Sequence, residues 1–388
     1  MNEPINLKRN HDYSPDPYKK IRTAVVGCGA ISDIYLNNMI HKFSNLDVIA
    51  CASRHSDSAQ RKAALYGIRA CSYDEILQDD TIDMVVILTP APTHYELIRK
   101  ALLGGKHVYT EKTMTVRLGE AKELIRLSEE KGLYLGSAPD TFLGAALQNA
   151  RRAIDNGVIG EVTSFQIHAN RNIDIMASYA AFLRMPGGGI CFDYGVYYLT
   201  ALVSLLGSVK KVSAIVQNRN ERRKNRRPGT PGYDQEYEYP NESQAAAVLE
   251  LKNGVLGTLV LNGDSLLQDQ AVFMIYGTKG ILKLTDPNQF GGEVTLISDD
   301  SEQWEAVKKT TVHYTDAFSE NSRGIGPAEM AEAILEGRPN RANKQMAYHV
   351  LEVISQMMAS SESGRFEEVL SVCERPAVLE DGVLCRTP

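Results

Sequence analysis

The run Thr23-Ala24-Val25-Val26-Gly27-Cys28-Gly29-Ala30-Ile31-Ser32 decides the fold. An apolar, β-rich segment enters a Gly-x-Gly turn and passes directly into an amphipathic stretch that ends about His41, the pattern of strand, tight turn and helix. That is the opening βα unit of a dinucleotide-binding domain. Gly27 permits the turn, and Gly29 has no Cβ to hold the backbone away from a pyrophosphate. The first helical residues, Ala30 and Ile31, offer free N–H groups and the positive end of the helix dipole to phosphate oxygens. Ser32 stands where helix and strand need a small residue between them. A Gly-x-Gly turn taken alone also fits an ordinary βα connection; the strand before it and the helix after it weigh towards nucleotide binding.

Outward from this unit the pattern keeps alternating. Strands are expected at Arg22–Gly27, Asp47–Ala52, Asp83–Leu88, His107–Thr110 and Tyr134–Ser137. Helices fit Ile31–Phe43, Ser58–Tyr66, Tyr73–Leu77, Thr93–Leu103, Val116–Glu130 and Ala145–Asn156. The unbroken apolar run Met84-Val85-Val86-Ile87-Leu88 reads as a parallel strand buried on both faces. Residues 20–145 are therefore expected to form a doubly wound α/β (Rossmann) domain. Residues 1–19 are polar and proline-bearing, an expected loosely held arm.

Past Gly160 the period changes. Val162–Asn170 alternates as a strand, and Gly187-Gly188-Gly189 precedes a long apolar helix over Cys191–Leu206. Strand-like segments follow at Val209–Gln217, Ala245–Leu251, Gly254–Leu261, Ala271–Tyr276, Gly280–Leu284 and Glu293–Ile297, with Asn253-Gly254 as a hairpin turn. Two helices, Gly326–Glu336 and Asn343–Ser360, close the chain. Strands in succession imply a mostly antiparallel open sheet, so residues 146–388 are expected to be an α+β domain for substrate binding and oligomerisation.

Composition narrows the function classes. The chain has 388 residues, 43% hydrophobic and 23% charged, as in ordinary globular proteins. A net charge of −6 argues against nucleic acid or an anionic membrane as partner of the whole molecule. No apolar run approaches membrane-spanning length, and Met1-Asn2-Glu3-Pro4 opens no signal-peptide core, so a cytoplasmic location is expected. The six cysteines (Cys28, Cys51, Cys71, Cys191, Cys373, Cys385) are scattered without a C-x-x-C pair and read as reduced thiols rather than a zinc site. The basic run Arg219–Arg227 either meets a phosphorylated sugar or acidic surface, or is a solvated loop offset by Asp234, Glu236 and Glu238.

Several positions carry chemistry. The second strand ends in Ala52-Ser53-Arg54 with no carboxylate to take the ribose hydroxyls. Ser53 and Arg54 suit a 2′-phosphate instead, so NADP is expected over NAD. Thr89-Pro90 end the next strand at the carboxyl edge of the sheet, where such folds bind ligands. His94 lies just beyond, as a catalytic group or as a residue orienting the loop. Glu111-Lys112 ends a buried strand, a costly placement unless something uses it; the alternative is a salt bridge. Asp193 and Tyr197, at i and i+4, share one face of an otherwise apolar helix, for chemistry or for a core hydrogen bond. Arg171, Asn172, Arg184 and Tyr198 are further candidates to line a substrate pocket.

Gly27-x-Gly29, Glu111-Lys112, and Gly187-Gly188-Gly189 with Asp193-x-Gly195-x-Tyr197, in this order, resemble the glucose–fructose oxidoreductase/inositol dehydrogenase/MocA (Gfo/Idh/MocA) family. The likeness runs over about residues 20–375 and includes the turn Tyr276-Gly277-Thr278-Lys279-Gly280. It implies a catalytic lysine at Lys112, a cofactor-ribose contact at Glu111, the family's aspartate at Asp193 and the acid–base position at Tyr197. Thr113 stands where the family usually has proline, and Tyr198 beside Tyr197 leaves two phenols to choose between. The resemblance further implies homodimers or homotetramers. The expected reaction is hydride exchange between a nicotinamide and a secondary alcohol or ketone of a sugar, polyol or derivative, without a metal. In it, Lys112 and the nicotinamide lower the pKa of the Tyr197 phenol, and Asp193 orients substrate hydroxyls. The alternative is glycoside hydrolysis assisted by a tightly bound NAD.

Overall fold

Valine-rich strands separated by amphipathic helices assemble the first half of the molecule. The computed structural model describes residues 20–267, 270–299, 307–382 and 384; the expected N-terminal arm and Cys385 lie outside them. In chain order come β1 (Ile21–Val26), α1 (Ser32–His41), β2 (Leu46–Ala52), α2 (Ser56–Tyr66), β3 (Arg69–Ala70), α3 (Tyr73–Gln78) and β4 (Met84–Ile87). Then follow α4 (His94–Leu103), β5 (His107–Thr110), α5 (Leu118–Glu130) and β6 (Leu135–Ser137). The six strands pair in parallel in the order β3-β2-β1-β4-β5-β6. Every residue of β4 is buried, as a parallel strand covered by helices on both faces requires. The strand order reverses between β1 and β4, and the carboxyl ends of those two strands open the crevice where such sheets take ligands.

The second half continues with α6 (Ala145–Asp155), β7 (Val162–Asn170), α7 (Ile173–Tyr179), a wide π-helical turn at Cys191–Gly195, α8 (Val196–Leu206) and β8 (Val209–Gln217). After these come β9 (Arg222–Lys224), β10 (Glu236–Glu238), β11 (Gln244–Leu251), β12 (Leu256–Asn262), β13 (Ala271–Gly277), β14 (Ile281–Leu284), β15 (Thr295–Asp299) and β16 (Val307–Thr311). The last elements are α9 (Ile325–Glu336), α10 (Lys344–Ser363) and β17 (Glu367–Glu368). Nine strands form one sheet in the order β16-β15-β14-β13-β7-β12-β11-β8-β17, antiparallel throughout except for β7 beside β12. The Asn253-Gly254 hairpin joins β11 to β12, with Gly254 at φ +87°. Burial alternates along β11, so one face of the sheet meets α8 and α10 while the other leaves Ile215, Val248 and Leu256 exposed.

Three features depart from the sequence reading. The expected helix over Cys191–Leu206 opens with the π turn before it becomes regular. The Arg219–Arg227 run is more than a solvated loop: β9 pairs with β10, and Arg223 is buried between Asp174 (3.0 Å) and Asp264 (2.7 Å), its guanidinium 5.0 Å from the centre of the Tyr239 ring. The arginines on either side of it, Arg222 and Arg226, remain exposed. Finally, α9 and α10 return to the first sheet, α9 against β5 and β6 and α10 against β6 and α5. Gly136 of β6 pairs with Asn343 in an isolated bridge. The five described cysteines are free thiols, and no helix among the described residues is long and apolar enough to cross a membrane.

Candidate active site

The Gly-x-Gly turn is built as its sequence requires. Gly27 sits at φ +107°, and a Cβ there would meet the Leu88 carbonyl carbon at 2.8 Å. Its N–H donates to Ala52 O at 2.8 Å, which ties the turn to the end of β2. A Cβ at Gly29 would meet nothing within 4 Å, so the outer side of the turn is open to a close-approaching ligand. Helix α1 begins with no side-chain cap, and Gly29, Ala30 and Ile31 ahead of it are exposed. Ser32 is buried and its hydroxyl donates to Gly29 O at 2.6 Å. These features fit a dinucleotide pyrophosphate. Ser53 and the exposed Arg54 follow directly on β2 beside this turn.

At the end of β4, Thr89 and Pro90 form the far lip of the crevice, with the Thr93 hydroxyl donating to Thr89 Oγ1 at 2.7 Å and to Pro90 O at 2.8 Å. His94 is fully buried, each ring nitrogen 2.7 Å from a backbone carbonyl, Nδ1 from Thr113 O and Nε2 from Thr89 O. Burial outweighs those carbonyls and lowers its pKa. Its ring is committed to the backbone and ties the two loops together.

Glu111 and Lys112 emerge from β5 between those loops. Glu111 Oε1 accepts from the Tyr35 hydroxyl of α1 at 2.6 Å, and the Lys112–Thr113 peptide is cis. Lys112 Nζ donates to Asp193 O at 2.9 Å and is in ion-pair contact with Asp193 Oδ1. The same Nζ lies 5.4 Å from the centre of the Tyr197 ring. Lys112, Asp193 and Tyr197 thus converge at the carboxyl edge of the parallel sheet. Burial works against the Lys112 charge, but Asp193, Tyr197 and Glu111 more than offset it, and the lysine is held charged above its ordinary value. The expected lowering of the Tyr197 phenol is not what the protein alone produces. Burial lifts it, and Lys112 and Arg323 only partly counter that while Glu111 and Asp193 add to it.

The choice between the two phenols is resolved by packing. Tyr198 turns away from Lys112 and donates to Asp286 Oδ1 at 3.2 Å, beside Tyr194, which donates to Asp286 Oδ2 at 2.8 Å. Tyr198 is therefore a core residue and leaves the substrate group. Two other candidates leave it too. The Asn172 side chain caps α7 by accepting from Ile175 N at 3.1 Å, and Arg184 donates to Ala177 O and Ser178 O, both at 2.6 Å, at the other end of that helix. Arg171 stays: it stacks on Tyr194 with 3.8 Å between Cζ and the ring centre, in a small cavity it shares with Asp193 and Tyr239.

Four residues escaped the sequence reading. Tyr35 aims the Glu111 carboxylate. Buried Asp140 accepts from Gly326 N at 3.0 Å, and burial raises its pKa to about 6. Glu242 sits against the N-terminus of the π turn, accepting from Cys191 N at 3.1 Å, and burial raises it to about 7. Arg323, from the loop before α9, donates to Asn288 Oδ1 at 2.8 Å, and its positive charge favours the Tyr197 phenolate. Each comes from an element far along the chain, and a lone residue of common type carries no motif that would single it out.

Comparison with known proteins places this architecture. Residues 21–138 match the family model described as oxidoreductase family, NAD-binding Rossmann fold, and residues 147–283 match the GFO/IDH/MocA C-terminal domain. The chain is 34% identical over 206 residues to a dTDP-3,4-didehydro-2,6-dideoxy-alpha-D-glucose 3-reductase of Streptomyces violaceoruber, covering 51% of this chain and 58% of that one. It is 25% identical over 306 residues to scyllo-inositol 2-dehydrogenase (NAD(+)) of Bacillus subtilis, covering 77% and 83%. Levoglucosan dehydrogenase in complex with NADH and levoglucosan superposes with a TM-score of 0.79 at 17% identity, covering 91% of this chain and 100% of that one. Against the first curated relatives the matched region spans 54% to 58% of their length. With both family domains matched in order and both sheets in place, the chain belongs to the Gfo/Idh/MocA oxidoreductase family.

Proposed function

We propose that this protein is a nicotinamide-dependent dehydrogenase or reductase acting on a secondary alcohol or ketone of a sugar, polyol or sugar derivative. The observation that carries the reading is the convergence of Lys112, Asp193 and Tyr197 beside an open Gly-x-Gly turn. The relatives named for an inositol dehydrogenase and a dTDP-sugar reductase support the substrate class. When bound, the nicotinamide supplies hydride exchange with the carbinol carbon. Lys112 presents a charged ammonium to the substrate oxygen and polarises the carbonyl. Asp193 fixes Lys112 and accepts from substrate hydroxyls. Tyr197 takes the hydroxyl proton on oxidation and returns it on reduction. Arg171, stacked on Tyr194 next to Asp193, lines the far side of the substrate space. Gly27, Gly29, Ala30 and Ile31 would hold the pyrophosphate, and Thr89, Pro90 and Glu111 would bind the rest of the dinucleotide, Glu111 at a ribose.

Ser53 and Arg54, with no carboxylate at the end of β2, favour NADP over NAD. The open face of the nine-stranded sheet, with Ile215, Val248 and Leu256, supports a homodimer or homotetramer. The test is a panel of sugars and inositols with NAD and with NADP, followed by reduced-nicotinamide absorbance. Turnover of one member, faster with NADP, is the expected result. Glycoside cleavage without net reduction, with dinucleotide copurifying, would replace this reading by the hydrolase one.

A further inference from the structure

Glu242 stands two residues before β11, and both its backbone and its side chain grip the start of the π turn. Its carbonyl accepts from Ile190 N at 3.0 Å, and its carboxylate Oε1 accepts from Cys191 N at 3.1 Å. The Tyr239 hydroxyl spans the same junction, donating to Gly188 O at 3.2 Å and to Glu242 O at 3.3 Å. The carboxyl fills the space beside Gly189, where a Cβ would run into it, although the Gly189 backbone is not left-handed. One turn on, Asp193 N donates to Gly189 O at 2.8 Å. Asp193 then presents two groups to Lys112 Nζ, its backbone carbonyl at 2.9 Å and its carboxylate. Because a main-chain carbonyl is one of the two, the path of the backbone from Gly189 to Asp193 fixes where the ammonium stands. We propose that Glu242 is a positioning residue for the site: its carboxylate holds the first turn of the π segment, and through that turn the two Asp193 oxygens that fix Lys112. The inference rests on the reading of Lys112 as the group that polarises the substrate oxygen.

The chemistry of the junction explains why a carboxylate is there. The first N–H groups of a helical segment have no carbonyl partner within it, and they carry the positive end of its dipole. A carboxylate meets both needs with a charge-assisted hydrogen bond. An apolar side chain would fill the space beside Gly189 without the cost of burying a charge, but it would leave the Cys191 N–H without this acceptor. The loop leading into the glycines is tied to the same segment, since Asn241 Nδ2 donates to Leu183 O at 2.9 Å and to Met185 O at 2.8 Å. Tyr239 also lines the small cavity with Asp193 and Arg171, so the junction is one wall of the proposed substrate space.

The test needs no substrate. Protein carrying ¹⁵N at lysine Nζ is studied by NMR well below its melting temperature, and the proton exchange of the Lys112 ammonium with water is timed. The Lys112 signal is assigned by its loss in Lys112→Arg. In Glu242→Ala the exchange should quicken by about tenfold, as for the loss of one hydrogen bond to a charged group. A merely structural role would lower the melting temperature and leave this exchange alone. Glu242→Gln drops the charge but keeps an acceptor for Cys191 N, so it should return most of the protection. Gly189→Ala keeps the charge but displaces the carboxyl, so it should quicken exchange as well, and it carries the test should Glu242→Ala not fold. Unchanged exchange in a folded Glu242→Ala or Gly189→Ala protein overturns the proposal. Exchange as fast in Glu242→Gln as in Glu242→Ala is a charge acting through space and overturns it too. If a sugar is oxidised, kcat should fall in Glu242→Ala by a similar factor while the cofactor KM holds. Exchange that quickens in a protein oxidising no sugar supports the role of Glu242 and counts instead against the proposed function.

Discussion

Lys112 meets both Asp193 and Tyr197, and its loss is the sharpest chemical test. Lys112→Ala removes the charge that polarises the substrate oxygen but leaves the Gly-x-Gly turn untouched. Turnover should fall by about 10²–10⁴-fold, with dinucleotide binding nearly unchanged by fluorescence titration; unchanged turnover would remove Lys112 from the mechanism. Asp140 gives a prediction of opposite kind. Its carboxyl is raised to about 6 in the folded protein, against about 3.9 in an unfolded chain. The folded state therefore holds a proton between these values that the unfolded state has released. That contribution to stability is full below pH 4 and is lost as pH rises through 6, on the order of 3 kcal/mol. Asp140→Asn keeps an acceptor for Gly326 and removes the charge, so urea midpoints at pH 5 and pH 8 should lie closer together than in the parent protein. At this scale the sequence was informative where a residue stands in a short motif, as Lys112, Asp193 and Tyr197 do. It was silent where partners meet across long separations, as Tyr35 with Glu111 or Asp140 with Gly326. Asn172 and Arg184 were misread because a polar residue near a glycine hinge resembles a pocket wall. Their signature, an Asn before a short helix and an Arg after it, is equally that of helix caps.

Among the elements, the β1–α1 turn separates two roles of glycine that its sequence merges. Gly27 has a positive φ and Leu88 packed where a side chain would start, so Gly27→Ala should cost about 1–3 kcal/mol of stability together with cofactor affinity. Gly29 has open space around it, so Gly29→Ala should leave the melting temperature within a degree or two while weakening dinucleotide binding. Circular dichroism melts beside cofactor titrations read both, and a destabilised Gly29→Ala would contradict the assignment of that space to a ligand. The order of elements was legible because the period changes from mixed helix and strand to strand after strand at Gly160. The β9–β10 arm was not: charged residues dominate it, and its anchors reach distant residues, Arg223 between two aspartates and the Tyr237 hydroxyl donating to Ile173 O at 2.9 Å. The π turn was likewise hidden, since Gly187-Gly188-Gly189 marks a break in the chain but not the width of the helix that follows it. Close packing explains the glycines there, for a Cβ at Gly189 would run into the Glu242 carboxyl.

Across the whole molecule, the reading of two successive domains meets a chain that doubles back. Tyr109 of β5 is fully buried, and a Cβ at Gly326 of α9 would overlap its hydroxyl; a Cβ at Gly136 of β6 would lie 2.9 Å from Ala342 O. An excised segment of residues 20–145 would expose those surfaces. It should give poorly dispersed amide NMR spectra and bind no dinucleotide, whereas a folded, binding-competent fragment would show that α9 and α10 are dispensable to the first sheet. The bare start of α1 carries a different consequence. A helix that supplies no cap of its own has donors for an anion to satisfy, and a ligand that binds only the folded chain raises its stability by RT ln(1 + [L]/Kd), about 2.7 kcal/mol at a hundred times Kd. Heat resistance thus becomes a reporter of occupancy. NADP and NAD added at equal concentration should raise the melting temperature unequally, with NADP ahead, and ranking the two shifts identifies the preferred dinucleotide before any sugar is tried.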